Sequence, residues 1–242
     1  MNLIVDVGNT NVKLAVFKED SLLSLAVIEG GGLDEKIKNI FKEFPKIEDS
    51  IVSSVGNLRD NDLNFLKKQT KVHLLSANSK IAFTSKYATP KTLGVDRIAL
   101  AMAAVKMFPR KNTLVIDAGS CVTYDFIDSD GVYLGGAISP GIEMRYKALH
   151  NLTSKLPLLK KDSAPDFIGD TTETSIHSGV VNGISLEIDG VIDQYQSRFK
   201  DLTVILTGGD THFLSKRLKN TIFADSKFLL KGLNYLLEHN KH

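Results

Sequence analysis

Two short turns in the sequence each follow an apolar run that ends in an aspartate. The first lies within LIVDVGNTNVKLAVF and the second within LVIDAGSCVTYDFI. When the two segments are aligned, Asp117 falls on Asp6 and Gly119 falls on Gly8. Each segment has the pattern of a strand, a tight turn and a second strand. An aspartate, small residues and hydroxyl groups in such a turn suit a metal-chelated polyphosphate, so the pair predicts a nucleotide phosphate site.

The first turn carries groups for both a metal ion and phosphates. Asp6 can hold a hydrated magnesium ion, directly or through water, because magnesium prefers carboxylates and substrate phosphates. The backbone amides from Gly8 to Thr10 and the ammonium of Lys13 can then meet phosphate oxygens. In the second turn, Asp117 and the hydroxyl group of Ser120 offer another oxygen-rich corner. Phosphoryl transfer needs chiefly positioning and charge neutralisation, which these groups can supply.

A purely structural role is the alternative for Asp6. A single Asp-x-Gly sequence between two strands is most often only a turn. The second copy at Asp117, at a matching place in a matching segment, favours a functional role. An unpaired carboxylate at the end of a buried strand would also be unfavourable without a partner such as a metal ion.

Another acidic candidate lies at the head of the helix predicted from Gly94 to Phe108, which is apolar on nearly every face and must be buried. The positive end of this helix favours the charged form of Asp96, which could take or orient a hydroxyl proton. Arg97 could bind an anionic group of a substrate. A capping aspartate with a structural arginine explains the spacing equally well. The turn Thr207–Asp210 also has two interpretations: its glycines could let an adenine ring or a ribose approach the backbone, or the turn could simply cap a helix.

Composition and missing motifs narrow the class of protein. A formal net charge of +2 gives no global electrostatic reason to expect nucleic acid or an acidic membrane surface as a partner. The single cysteine, Cys121, excludes an internal disulfide and fits a reducing cytosol. No basic n-region and no membrane-length apolar stretch occur, so we expect a soluble cytoplasmic protein. P-loop, GxGxxG and HExxH motifs are absent, and the histidines are scattered.

Strands and helices alternate along the rest of the chain, in the same order in both halves. IVSSVGN, beginning at Ile51, and VILTGGD, beginning at Val204, are a second pair of similar segments. We therefore expect an α/β protein with two similar domains, residues 1–109 and 110–242, and a cleft between them lined by both aspartate turns. We also expect an extended surface loop from Asn151 to Phe167, one long helix from Thr172 to Phe199 and a strand from Thr221 to Ala224.

Taken together and in order, these segments resemble the type III pantothenate kinases, within the superfamily of actin, sugar kinases and heat-shock chaperone ATPases. The resemblance covers nearly the whole chain and implies two ribonuclease-H-like (actin-like ATPase) domains with mixed sheets flanked by helices. The segments that carry it are DVGNTNVK at Asp6–Lys13, GVDR at Gly94–Arg97, DAGSCVTYD at Asp117–Asp125, GGAISPG at Gly135–Gly141 and LTGGD at Leu206–Asp210.

The resemblance implies an activity and roles for particular residues. The activity would be transfer of the γ-phosphoryl group of ATP, bound with Mg²⁺, to the terminal hydroxyl of pantothenate, the first step of coenzyme A synthesis. Asp96 would accept the proton of that hydroxyl, and Asp117 would bind a monovalent cation, K⁺ or NH₄⁺. The implied ATP contacts are Asp6, Val7, Gly8, Asn9, Thr10, Asn11, Val12, Lys13 and Ser120. The implied pantothenate contacts are Tyr87, Gly94, Val95, Asp96, Arg97 and Thr172.

The family is dimeric, and the long helices after Gly94 and Thr172 are candidates for a homodimer interface. Two departures from the family pattern concern these assignments. Ser120 and Cys121 stand where the family more commonly has Thr-Ala, and the serine keeps the hydroxyl group of that threonine. At the second place, Thr171 is as plausible an aligned residue as Thr172. Two rival functions also remain open: another small-molecule or sugar kinase, and a nucleotide-binding regulator without turnover. A panel of acceptor alcohols would identify the first rival, and nucleotide binding without acceptor-dependent ADP release would identify the second.

Overall fold

The computed structural model describes residues 1–8, 11–29, 32–54, 59–161 and 166–241. Its strands are short, and most are rich in aliphatic residues, as strands that pack on at least one face must be. In chain order the strands are β1 Asn2–Val7, β2 Val12–Lys18, β3 Ser21–Ile28, β4 Asp49–Ser54, β5 Lys71–Leu74, β6 Thr84–Ser85, β7 Thr113–Ala118, β8 Cys121–Ile127, β9 Val132–Pro140, β10 Thr203–Thr207 and β11 Phe223–Ala224.

The helices fall between these strands and at the C-terminal end. In chain order they are α1 Leu33–Glu43, α2 Asp60–Gln69, α3 Val95–Met107, α4 Ile142–Asn151, α5 Thr172–His177, α6 Gly183–Arg198, α7 Thr211–Leu214 and α8 Phe228–Asn240. A 3₁₀ turn, Pro90–Thr92, precedes α3, and a π turn, Ser178–Asn182, joins α5 to α6.

The chain divides into two compact units. The first contains Met1–Pro109, Gly131–Tyr133 and Lys227–His242, and its sheet has the strand order β3-β2-β1-β4-β5. β1 pairs antiparallel with β2 and parallel with β4, so the sheet is mixed. Alternate residues of β1 point to opposite faces. Leu3, Val5 and Val7 pack in a core with Ile37 and Ile40 of α1, and this alternation puts Asp6 on the other face.

The second unit contains Arg110–Asp130 and Leu134–Ser226. Its strands follow the order β11-β10-β7-β8-β9, and the short β6 pairs with the first two residues of β9. β7 pairs antiparallel with β8 and parallel with β10, which repeats the pairing of β1. Leu114 and Ile116 of β7 pack in a core with Ile184, Ile188 and Ile192, which are spaced four residues apart on α6.

The two sheets give the predicted fold class directly. Both are mixed sheets flanked by helices, so the prediction of an α/β protein of this type is confirmed. Asp6 is the fifth residue of the six-residue β1, and Asp117 is the fifth residue of the six-residue β7. The sequence repeat is therefore a repeat of strand position and of pairing. Within the part of the chain that the structure describes, no helix combines the length and apolarity needed to cross a membrane.

Two predicted elements differ from the structure. The helix predicted from Thr172 to Phe199 contains the π turn Ser178–Asn182. The hydroxyl of Ser178 donates to the carbonyl of Phe167, and the amide of Asn182 donates to Ser178 Oγ, so side chains hold the backbone where the helix widens. The strand predicted from Thr221 to Ala224 is reduced to β11, which pairs with only two residues of β10.

Candidate active site

Asp6 and Lys13 face each other across the first hairpin. The register of β1 and β2 pairs Asp6 with Lys13 and Val7 with Val12. The turn therefore lies between Val7 and Val12. Lys13 Nζ lies 3.9 Å from Asp6 Oδ2, at the outer limit for an ion pair. Because opposed residues of an antiparallel pair point to the same face, the carboxylate and the ammonium lie side by side. The hairpin thus presents one negative and one positive group beside the same turn.

The carboxylate of Asp6 is in an environment that disfavours its charge. The residue is only 7% exposed, and this burial raises the pKa of Asp6 to about 6. The ammonium of Lys13 acts in the opposite direction, and the negative charge of Asp96 raises the pKa further. The fold therefore brings Asp96, ninety residues away in sequence, close enough to Asp6 for the two carboxylates to interact. A bound cation would offset this repulsion.

The turn itself offers an amide oxygen that lacks a partner. The backbone amide of Gly8 donates to the carbonyl of Asn11 at 3.0 Å, which closes the turn. The side-chain oxygen of Asn11 is buried and accepts no hydrogen bond from the described residues. A buried acceptor without a donor is unfavourable, so this oxygen is suited to a metal ion, its bound water or a substrate donor. Asn9 and Thr10, also predicted as ATP contacts, lie outside the described residues.

The donor groups at the first turn suit a hard divalent cation such as Mg²⁺, because they are a carboxylate and an unpartnered amide oxygen, with no thiol among them. Among the described residues, no group of three or more His, Cys, Asp and Glu side chains could hold a metal ion. Magnesium usually keeps several waters and takes substrate phosphates as ligands, so it does not require such a group. The residues of the first turn therefore fit an ion that arrives with a nucleotide.

Asp96 lies in the first turn of α3, directly after the N-cap Gly94 and Val95. Its Oδ1 accepts the backbone N–H of Arg97 at 2.8 Å, which satisfies one of the free amides at the helix start. Asp96 is half-buried, so its second oxygen can meet a substrate hydroxyl.

Arg97 and Tyr87 are brought together beside the start of α3. Arg97 is buried, and its guanidinium carbon lies 5.7 Å from the centre of the Tyr87 ring, a cation–π contact. The Tyr87 ring also lies 6.1 Å from that of Tyr133, and the Tyr87 amide donates to Ser85 Oγ. These contacts fix the orientation of two predicted substrate residues, Tyr87 on the loop before α3 and Arg97 in its first turn.

In the second unit, Asp117 lies where β7 and β10 end. The parallel register places Asp117 beside Thr207, whose buried hydroxyl oxygen has no hydrogen-bond partner among the described residues. Gly208 follows with a φ of 95°. A side chain there would meet the carboxylate of Asp117 and the carbonyl of Ala118. Glycine therefore lets the backbone after β10 lie close to Asp117. The carboxylate of Asp117, the Ala118 carbonyl and the Thr207 hydroxyl are the oxygen atoms at this place.

Gly208→Ala is expected to destabilise the protein by about 1–3 kcal/mol, since an L-residue is strained at this φ and the new methyl group meets Asp117. The matched control is Gly209→Ala, because that position has no positive φ and open space around the added carbon. Urea unfolding of both variants measures the effect. Equal stability of the two variants would show that the contact of Gly208 with Asp117 is unimportant.

Ser120 lies in the turn between β7 and β8. The amide of Gly119 donates to the carbonyl of Cys121 at 2.9 Å, and the amide of Gly141 donates to the carbonyl of Ser120 at 3.1 Å. A side chain at Gly141 would collide with the carbonyls of Gly119 and Ser120, so the GGAISPG segment needs glycine there. The Ser120 side chain itself is exposed, as a ligand-contacting hydroxyl requires.

Thr171 and Thr172 have different surroundings in the structure. Thr171 is the N-cap of α5, and its hydroxyl accepts the amide of Thr174 at 3.1 Å in a capping box. Thr172 is the first helical residue and its side chain is exposed. The Thr171 hydroxyl thus has a structural task, whereas that of Thr172 is the better candidate for a substrate contact.

The predicted residues form one group in each unit. Asp6, Lys13 and Asp96 come together in the first unit, with Arg97 and Tyr87 next to them. Asp117, Ser120 and the glycine turn at Gly208 come together in the second, and Thr172 stands apart on α5.

Lys161 is a site-adjacent residue that sequence reasoning missed. Its ammonium pairs with the carboxylate of Asp210, directly after the glycine turn, and lies 5.1 Å from the centre of the Phe213 ring. Lys161 belongs to the predicted surface loop, and no local pattern connects that loop to a residue so distant in sequence. Only the fold reveals the pair.

Comparisons with known proteins show which family the chain resembles. A family model described as type III pantothenate kinase matches residues 2–194. A protein named type III pantothenate kinase from Flavobacterium johnsoniae is 52% identical, over 99% of this chain and 98% of that protein.

Two solved structures are similar in fold. One, titled a conserved putative Baf family transcriptional activator from Campylobacter jejuni, has a TM-score of 0.61 at 24% identity over 98% of both chains. The other, titled a putative N-acetylmannosamine kinase from Listeria monocytogenes, has a TM-score of 0.53 at 12% identity, over 100% of this chain and 99% of that one. At these identities the likeness extends to the fold alone.

Proposed function

This chain belongs to the type III pantothenate kinase family, and we propose on that premise how its residues carry out the reaction. It is an ATP-dependent kinase that transfers the γ-phosphoryl group of ATP to pantothenate, which gives 4′-phosphopantothenate and begins coenzyme A synthesis. ATP acts with a divalent metal ion. The observation that carries the assignment of roles is the convergence of Asp6, Lys13 and Asp96 at one place in the first unit.

The first turn binds the nucleotide phosphates. Mg²⁺, when bound, neutralises phosphate charge, and Asp6 with the Asn11 side-chain oxygen would hold it directly or through water. The ammonium of Lys13 neutralises a further phosphate oxygen. The full set of proposed ATP contacts is Asp6, Val7, Gly8, Asn9, Thr10, Asn11, Val12 and Lys13, with Ser120 in the second unit.

Asp96 prepares the acceptor hydroxyl. One carboxylate oxygen is fixed by the Arg97 amide, which leaves the other to accept the hydroxyl proton. As the hydroxyl oxygen forms its bond to the γ-phosphorus, the bond to ADP breaks and the O–H proton passes to Asp96. The proposed contacts with the rest of pantothenate near Asp96 are Gly94, Val95, Arg97 and Tyr87. Thr172 is a further proposed contact because its hydroxyl group is exposed.

The direct test is ADP release, coupled to a spectroscopic readout, with ATP, Mg²⁺, K⁺ and pantothenate. Turnover should depend on pantothenate and should be absent with glucose or N-acetylmannosamine as the acceptor alcohol. Turnover with a sugar instead of pantothenate would identify the rival sugar kinase. Nucleotide binding without acceptor-dependent ADP release would identify a regulator and refute the proposed reaction.

Asp117 binds a monovalent cation, K⁺ or NH₄⁺. Its carboxylate, the unpartnered Thr207 hydroxyl and the nearby Ala118 carbonyl are oxygen ligands of the type that such a cation takes. We therefore expect most of the turnover to be lost when Na⁺ replaces K⁺, and Asp117→Asn to lose the difference between the two ions. The measurement is the initial rate at matched ionic strength, and equal rates of the parent protein in Na⁺ and K⁺ would remove this role from Asp117.

We also propose a cytoplasmic homodimer. Several large apolar side chains of the second unit are exposed, among them Met144 on α4 and Leu186 on α6. Exposed apolar side chains of this kind are typical of an interface. Sedimentation velocity measures the mass in solution, and a monomer at micromolar concentration would exclude the dimer.

A further inference from the structure

The C-terminal helix α8 belongs to the first unit, although the family model ends at residue 194, well before this helix begins. Most of its apolar side chains are buried, and it packs along α3, the helix that carries Asp96 in its first turn. The ring of Phe228, at the start of α8, lies 6.4 Å from that of Phe108, which follows the end of α3. Gly232, further along α8, lies against Ala99 and Ala103. The two helices are therefore antiparallel neighbours.

Gly232 lets α8 approach α3 more closely than any side chain would allow. A carbon atom added at this buried position would lie 2.0 Å from the carbonyl oxygen of Ala99 and 3.1 Å from the methyl group of Ala103. The first distance is a collision with the backbone of α3, which has no rotamer by which to avoid it. Because glycine inside a helix is normally unfavourable, this close contact is the physical reason for glycine here.

The contact at Ala99 lies one helical turn from Asp96. Real side-chain carbons stay at least 3.0 Å from such an atom, so a methyl group at position 232 would displace α3 from α8 by about 1 Å. Asp96 and Ala99 are three residues apart, which is about 4.5 Å along a helix axis. Over so short a distance the helix moves as one piece, and the displacement reaches Asp96.

The same helix is tied to β1, the strand that carries Asp6. The side-chain amide of Asn2 donates to Asn234 Oδ1 at 2.7 Å and to Glu238 Oε1 at 2.6 Å. The amide of Asn234 donates in turn to the carbonyl of Glu19, in the turn after β2, at 2.8 Å. Asn2 and Asn234 are both buried, so these hydrogen bonds are shielded from water. A wedge between α8 and α3 would therefore move α3 relative to β1.

From these contacts we propose that α8 sets the separation between Asp96 and Asp6, and that Gly232 is a positioning residue for phosphoryl transfer. The inference rests on the proposed function, in which Asp96 takes the hydroxyl proton and Asp6 serves the phosphate turn. Gly232 acts only through the position of α3. Its effect is on the rate because a displacement of about 1 Å in a reacting group can cost about 10²-fold.

Gly232→Ala is expected to lower kcat for pantothenate phosphorylation by about 10- to 100-fold. KM for ATP should change by less than about twofold, because the phosphate turn stays with β1 and α8. The matched control is Gly190→Ala, which also lies inside a helix, α6, but has open space around the added carbon and should leave kcat unchanged.

Methyl NMR of the full chain with ¹³C-methyl methionine measures the displacement itself. Met102 is fully buried in α3, and its sulfur accepts the backbone amide of Ala82 at 3.1 Å, so its methyl signal reports the position of this helix. The Met102 signal should move in Gly232→Ala and stay in place in Gly190→Ala. An unmoved Met102 signal in Gly232→Ala would overturn the inference.

A double variant separates positioning from general loosening of the unit. If Gly232 acts through Asp96, adding Gly232→Ala to Asp96→Asn should leave kcat within about twofold of Asp96→Asn alone. A further 10- to 100-fold loss, or an equal loss in Gly190→Ala, would overturn the inference. Should Gly232→Ala not fold, the same comparisons are made with Ala103→Val, which widens the contact from the α3 side. A parent protein without pantothenate-dependent turnover would instead refute the proposed function, and this inference with it.

Discussion

Replacement of Asp96 by asparagine is expected to lower kcat for pantothenate phosphorylation by about 10²- to 10⁴-fold, the usual effect of losing a positioned base. Asparagine has nearly the same shape, and its side-chain oxygen can still accept the amide of Arg97, so the start of α3 should be retained. Its amide group cannot take the hydroxyl proton. The lost function is therefore chemical rather than structural.

The comparison of kcat with KM separates this explanation from simple loss of binding. A proton acceptor that acts in the transition state lowers kcat and kcat/KM together, with KM for pantothenate changed little. Asp60→Asn is the matched control, because Asp60 also lies in the first turn of a helix, α2, and should leave the rate unchanged. Activity of Asp96→Asn within a few-fold of the parent protein would remove Asp96 from the chemistry.

The same variant tests the proximity of the two carboxylates. The charge of Asp96 contributes to the raised pKa of Asp6, so its removal should lower the pKa of Asp6 below about 6. Carboxyl-carbon NMR of labelled aspartates in the parent and in Asp96→Asn measures that shift. An unchanged pKa of Asp6 would mean that the two groups are too far apart to act on one γ-phosphoryl group.

Local patterns in the sequence were sufficient for the elements that hold the site. The apolar runs around Asp6 predicted the β1–β2 hairpin, and the apolar run after Gly94 predicted α3, because these signals depend only on neighbouring residues. The repeat of Asp6 at Asp117 also predicted a repeated sheet, since equal patterns make equal strands. Fold class was therefore readable without any long-range contact.

Interactions between distant residues were not readable in this way. The effect of Asp96 on the pKa of Asp6 and the pairing of Lys161 with Asp210 depend on how elements pack. The π turn between α5 and α6 depends on a hydrogen bond from Ser178 to the carbonyl of Phe167, outside the helix. The role proposed for Tyr87 came only from the resemblance to a family, and the contact of its ring with Arg97 was not readable from the sequence.

Asp6→Asn is expected to abolish turnover and, at neutral pH without metal, to make the protein more stable. Burial raises the pKa of Asp6 from 3.8 to about 6, so the unfolded chain releases this proton at lower pH than the folded protein does. The contribution of Asp6 to stability is therefore fully present below about pH 4 and is lost as pH rises to about 6, by up to about 3 kcal/mol. Asparagine does not titrate, so the variant avoids that loss.

Urea unfolding in EDTA at pH 4 and pH 7.5 measures this difference. The free energy of unfolding of Asp6→Asn should be close to that of the parent at pH 4 and about 1–3 kcal/mol higher at pH 7.5. Asp34→Asn is the control, because Asp34 is exposed and its pKa is lowered, chiefly by a backbone hydrogen bond, so no gain should appear as pH rises. Mg-ATP should reverse the order at pH 7.5, since it stabilises only a protein that binds it. Lower stability of Asp6→Asn at pH 7.5 in EDTA would mean that the pair with Lys13 outweighs burial, and that Asp6 needs no metal ion to be accommodated.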